Sequence, residues 1–242
     1  MHPTPEERTY RVKNVRAVAF DLDGLLANTE DLHVLAYKEV AKFTGIRLTE
    51  DYIYGFIGRA TGDNIEQIIR DFKITDYTHE ELLNLRYECY HNVVKKTPLL
   101  PMEGAVECAE SVKRKNLKRL LVTLSMKNHA LSVLEKISQN LSGSNGSFDF
   151  TTYFHEMVFG NNITHPKPAP DIYLEAVKKI DVDPHECVAL EDSEAGVLSA
   201  KNAGLYVIAV PNEHTRSQDF HAADRVAASL HEVTRMDFLT DE

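Results

Sequence analysis

The run Val15-Arg16-Ala17-Val18-Ala19-Phe20-Asp21-Leu22-Asp23-Gly24 joins an apolar segment directly to a pair of acids. The first six residues read as a buried strand by their apolar, β-branched content. Asp21 and Asp23 then stand just past its C-terminal end, where open α/β sheets place their ligand crevice. Carboxylates this close repel each other and resist joint ionisation. Gly24 lets the chain turn at once, so both acids can converge on one point. A divalent cation, or an anionic substrate with its cation, makes that convergence tolerable. Alone, the pattern equally fits a strand-terminal turn with solvated aspartates, so the rest of the chain must decide.

Residues 29–97 show no convincing strand. Leu32, Leu35, Ala36, Val40 and Phe43 recur at helical spacing up to Gly45, and Ile65, Ile68, Ile69 and Phe72 do so again. Thr61 is the expected N-cap of that second helix. A third helix is expected over about Glu80 to Lys95, ended by Pro98 and Pro101. From Glu103 onward helix and strand alternate. The expected strands are Arg119–Thr123, Met157–Phe159, Cys187–Leu190 and Leu205–Val210. Helices are expected near 103–115, 127–139, 171–180 and up to Lys201, with Gly204 as a stop. Ser142–Ser147 reads as a flexible loop, and residues 1–14 as a frayed or edge segment. Alternation with continuously apolar strands predicts an α/β fold with a doubly wound parallel sheet. The sheet unit takes residues 1–28 and 98–242, and an all-helical insert takes 29–97.

In a parallel sheet the strand ends share one edge. Three of them carry polar groups: Asp21 and Asp23, then Thr123 and Ser125, then Glu191 and Asp192. Lys167 lies between Pro166 and Pro168, which stiffen the chain around it just before a helix. Bland readings exist for each. Glu191-Asp192 could simply cap the next helix, Thr123 could be ordinary strand, and Lys167 a solvated surface charge.

Taken in order and spacing, these four motifs resemble the haloacid-dehalogenase-like hydrolase superfamily over residues 15–235. A helical insert between the first and second motifs resembles the group that includes β-phosphoglucomutase and many sugar-phosphate phosphatases. The resemblance implies a Rossmann-like core, a mobile helical cap and Mg2+-dependent phosphoryl transfer. It implies Asp21 as nucleophile, Asp23 as general acid and base, and Lys167 as the charge facing the phosphoryl oxygens. Thr123 or Ser125 would be the phosphate-binding hydroxyl; both remain open. Asp21, the Asp23 carbonyl and Asp192 would hold the metal, with Glu191 as an additional ligand. Around the insert, Asn28-Thr29-Glu30 and His33 match the region where core meets cap. His33 would orient Asp23 or a substrate hydroxyl, and Arg59 and Arg86 would meet a substrate phosphate or carboxylate. The rival expectation is a β-phosphoglucomutase-like phosphomutase. Where that mutase carries Ser-Arg after the cap glycine, this chain has Ala60-Thr61. A non-catalytic binding protein on this fold would be expected to lack Asp21, Asp23, Lys167 or Asp192, and all four are present.

Composition narrows the partners. A net charge of -10 disfavours nucleic acid but leaves room for a local anion site. No window approaches the length of a membrane span, and the N-terminal residues lack the apolar core of a signal peptide. Cys89, Cys108 and Cys187 are far apart and match no metal motif, as expected of a reduced intracellular protein. A cytoplasmic monomer acting on a small phosphorylated substrate is expected.

Overall fold

The computed structural model describes residues 14–141 and 148–240. The expectations for residues 1–13 and for the loop at 142–147 lie outside them. A six-stranded parallel sheet is built from β1 (Ala17–Phe20), β2 (Lys118–Thr123), β3 (Glu156–Phe159), β4 (Cys187–Glu191), β5 (Tyr206–Ala209) and β6 (Arg225–Val226), in the order β3-β2-β1-β4-β5-β6. β1 is central: Phe20 stands beside Leu121 on one side and Leu190 on the other. The register therefore delivers Asp21 between the ends of β2 and β4.

Both sheet faces are covered, which is why central β1 is apolar at every position and its neighbours β2 and β4 are apolar through their middles. On one face Val18, Phe20, Leu121 and Leu190 pack against α5 (Ala105–Arg114), α6 (Lys127–Leu141) and α9 (Leu230–Val233). On the other, Ala19, Val122, Ala189 and Val207 pack against α7 (Asp171–Lys179) and α8 (Glu194–Asn202).

Between β1 and α5 the chain forms α1 (Glu30–Thr44), α2 (Glu50–Tyr54), α3 (Thr61–Phe72) and α4 (His79–Lys96). They share an apolar cluster of their own, including Val34, Tyr37, Phe56, Ile65, Ile68 and Leu82. The other side of α1 and α4 joins the main core through Leu32, Ala36, Tyr90 and Val94. Thr61 is not the N-cap of α3 as expected. Ala60 takes that place and Thr61 is the first helical residue, with no side-chain cap. At α4 the start signal is reciprocal: Thr78 Oγ1 accepts from the Glu81 N–H, and Glu81 accepts from the Thr78 N–H.

Candidate active site

The ends of β1, β2 and β4 converge as the register requires. Asp21 follows β1 and is 6% exposed. Lys167, equally buried, places its ammonium 2.6 Å from Asp21 Oδ1 and 2.6 Å from Glu191 Oε1. Tyr173 from α7 also donates to Glu191 Oε1. Glu191 Oε2 has no hydrogen-bond partner. It presses on α8, where a Cβ at Gly196 would stand 1.9 Å from it. Asp192, one residue on, accepts from Asn212 Nδ2 at 2.8 Å, and the same amide nitrogen reaches the Gly24 carbonyl at 3.1 Å. Gly24 sits at φ +75°, and a Cβ there would lie 2.3 Å from Asp192 Oδ2. The turn after Asp23 therefore admits only glycine on two counts.

Carboxylate oxygens of Asp21, Glu191 and Asp192 all lie within 4.8 Å of one another, and all three residues are buried. Burial pushes Asp21 up to about 8, against Lys167 and with Glu191 and Asp23 adding to the rise. Burial and then Asp21, Glu30 and Glu191 raise Asp192 well above the carboxylate range. Burial works against the charge of Lys167, yet Asp21 and Glu191 hold it protonated. One ammonium does not balance three clustered carboxyls, and the set is hard oxygen donors with an unpartnered oxygen among them. That donor set fits a divalent cation.

Asp23 lives in the opposite environment. Its Oδ1 accepts from Thr29 Oγ1 at 2.8 Å and faces His33 Nε2 at 3.4 Å. Its Oδ2 accepts from Thr123 Oγ1 at 3.1 Å and from Ser125 Oγ at 2.7 Å. Burial pushes Asp23 up, but His33, Ser125 and Thr29 outweigh it and hold the carboxyl well below its ordinary range. Arg86 Nη2 lies 2.7 Å from His33 Nδ1. A guanidinium only donates, so Nδ1 accepts and the ring proton is assigned to Nε2, facing Asp23. Burial keeps this imidazole neutral by lowering its pKa. Arg86 is itself 2% exposed, with its guanidinium 4.2 Å from the Tyr37 ring centroid. It therefore stands behind His33 rather than at the cavity wall.

These groups line one cavity of about 90 Å3, walled below by Asp21, Asp23, Lys167 and Asp192. The helical insert walls it above through His33, Gly58, Arg59 and Thr61. Arg59 is exposed and bonded to Gln67 Oε1 at 2.9 Å. Of the residues expected to serve in catalysis, phosphate, metal or substrate binding, Arg86, Thr29 and Glu191 lie off the cavity wall. Two participants carried no motif, Tyr173 and Asn212, and Glu30, in the stretch where core meets cap, carried no assigned role. Asn212 stands two residues beyond the last expected strand, and only its fold contacts betray it. Glu30 lines the cavity at 5% exposure. Burial, then Asp23, Asp21 and Asp31, push it up to about 8. An acid at a helix start gains about 0.3–1 kcal/mol from the helix dipole, whereas burying an unpaired charge costs several.

Comparison with known proteins agrees with this geometry. The family model described as haloacid dehalogenase-like hydrolase matches residues 18–210. A protein of Thermotoga maritima named phosphorylated carbohydrates phosphatase is 32% identical over 198 residues, covering 79% of this chain and 82% of that one. The β-phosphoglucomutase of Bacillus subtilis is 30% identical over 227 residues, covering 91% and 92%. The crystal structure of CbbY from Rhodobacter sphaeroides in complex with phosphate superimposes with a TM-score of 0.80 at 26% identity, covering 93% of this chain and 99% of that one. The strand-end acids, the lysine and the inserted helices thus sit in a chain that belongs to the haloacid dehalogenase-like hydrolases.

Proposed function

We propose that this enzyme is a Mg2+-dependent phosphatase of a small phosphorylated carbohydrate. The observation that carries the reading is the single cavity holding Asp21, Asp23, Lys167 and Asp192 beneath the inserted helices. Two carboxyls there have opposed environments, which divides their roles. Asp21, free of hydroxyl donors and beside Lys167, is the nucleophile. Its oxygen bonds to phosphorus as the ester P–O bond breaks. Asp23 gives the departing oxygen a proton, then takes one from the water that attacks phosphorus and frees Asp21. Its neighbours hold Asp23 ionised, so a proton must arrive before the first step; an approaching phosphate dianion favours that through like-charge repulsion. Lys167 faces the charge that develops on the transferred group. Thr123 or Ser125 exchanges its bond to Asp23 for one to the phosphoryl group. Asp21, Asp192 and the Asp23 carbonyl would hold Mg2+, with Glu191 behind them. The bound cation offsets repulsion between Asp21 and the phosphate.

Small-molecule sites usually enclose about 300–1,000 Å3, well above the cavity here. Residues 29–97 therefore serve as a cap that opens to admit substrate and closes to exclude water. The enzyme acts as a cytoplasmic monomer with no nucleic-acid or membrane partner. Among the described residues no helix is long and apolar enough to cross a membrane.

The similarity to a β-phosphoglucomutase and the position of Arg59 on the cavity wall favour a second reading, a phosphomutase. A mutase must grip a second phosphate, and Ala60-Thr61 offers no guanidinium where Arg59 alone is near. Incubation with β-glucose 1-phosphate and a trace of the 1,6-bisphosphate separates the two. Inorganic phosphate with little glucose 6-phosphate supports the phosphatase. Many molecules isomerised per phosphate released would establish the mutase instead.

A further inference from the structure

Glu30 is the cavity group that the phosphoryl-transfer chemistry leaves unused. It opens α1, is 5% exposed and lines the cavity between the catalytic aspartates and the inserted helices. It has no hydrogen bond or ion pair among the described residues. Asp23, Asp21, Asp31 and Asp192 lie close enough to repel it, and Arg86, which attracts it, is bonded to His33. Nor does Glu30 belong to the three carboxyls whose oxygens cluster within 4.8 Å. A place at the helix start does not explain it, because Asp31 supplies an acid to the same turn from solvent.

Two other polar groups deep in that wall already hold partners within the protein. His33 is bonded on both ring nitrogens, to Asp23 and Arg86. Asn64 donates to Tyr37 and to the Phe56 carbonyl, and its Oδ1, though unpartnered, has almost no exposed surface for a ligand to reach. Val34, Ile53, Phe56 and Ile57 are apolar. A ligand that fills the cavity with its phosphate at Asp21 therefore meets, at Glu30, a carboxyl that holds no bond among the described residues. A carboxyl keeps an acceptor oxygen for a substrate hydroxyl whether or not it is ionised. A buried acceptor left unpaired is also costly, so such a site rejects a ligand lacking the matching donor.

We infer that Glu30 is a specificity-determining residue that accepts a hydrogen bond from a hydroxyl on the substrate's carbon skeleton. The inference rests on the phosphatase reading and narrows it to phosphate esters of polyols and sugars, at the expense of alkyl phosphates.

A hexitol 6-phosphate and hexyl phosphate share chain length and phosphate and differ in hydroxyls alone. Wild-type kcat/KM should favour the hexitol ester by about a hundredfold or more. Glu30→Leu should compress that ratio at least about tenfold, and Glu30→Gln, which keeps an acceptor, should fall between. Thermal unfolding checks that each variant is folded; if Glu30→Leu is not, Glu30→Gln carries the comparison. A ratio unchanged within about twofold in a folded variant would overturn the assignment of Glu30 and leave the phosphatase reading standing. A wild-type protein that frees phosphate from neither ester would overturn that reading. Calorimetric binding of the two esters to wild type and variants then still reads the Glu30 preference, and no preference for the hexitol ester would overturn it.

Discussion

Asp23 is surrounded by three hydroxyls and one imidazole, and the imidazole is itself fixed from behind by Arg86. Arg86→Met should free His33 to exchange tautomers and loosen the donor on Asp23. Steady-state kinetics should show kcat lowered about ten- to a hundredfold with KM little changed, because the residue acts through His33 and not on bound substrate. Arg86→Lys should restore part of kcat; a change confined to KM would mean that Arg86 meets substrate directly. Asn212 is the comparable support for Asp192. Its truncation to Ala removes the 2.8 Å donor to Asp192 Oδ2. The Mg2+ concentration for half-maximal activity should rise about tenfold or more, as for other groups that orient metal ligands. An unchanged Mg2+ dependence would show that Asp192 needs no such support. Asp21, Asp23, Lys167 and Asp192 could be read from sequence because each sits at a strand end or beside a stiffening proline. Asn212 could not, because it meets Gly24 across 188 residues and no local pattern encodes that contact; Glu30 stood in the stretch where core meets cap, but its burial on the cavity wall is a property of the fold alone.

At the scale of elements, the strands and long helices were legible wherever apolar periodicity persisted for several residues. The five-residue α2, the two-residue β6 and the four-residue α9 were too short to carry a period, and were not expected. Thr61 misled because a threonine before an apolar helix looks like a cap, whereas extended Ala60 occupies the position. Strand β4 shows how an element places chemistry: Glu191 shares the face of Ala189 and is driven toward α7 and α8, while Asp192 turns to the cavity. Gly196→Ala tests that placement, since its Cβ would stand 1.9 Å from Glu191 Oε2. Overpacking of this kind costs about 1–3 kcal/mol, which urea unfolding should read as a lower midpoint. Wild-type stability in this variant would mean that Glu191 is free to move off α8.

Across the whole molecule, the inserted helices and the sheet unit meet at His129. It belongs to α6, and its ring packs near Tyr87, Tyr90 and His91 of α4. Burial, then Arg86 and His91, lower its pKa to about 4. An unfolded histidine titrates near 6.5. The unfolded chain therefore binds more protons between these values, and stability falls as pH drops from about 6.5 toward 4. His129→Gln should flatten that slope in urea midpoints measured against pH. An unaltered slope would place the acid sensitivity elsewhere.

The central claim is that Asp21 attacks phosphorus. It is tested most directly by phosphate release from a panel of phosphorylated carbohydrates with Mg2+, comparing wild type with Asp21→Asn. The amide is nearly isosteric and a poor nucleophile. Turnover should fall by more than about a thousandfold, equivalent to about 4 kcal/mol of barrier, with an unchanged circular dichroism spectrum. Retention of more than about a tenth of wild-type phosphate release by the folded variant would contradict the account.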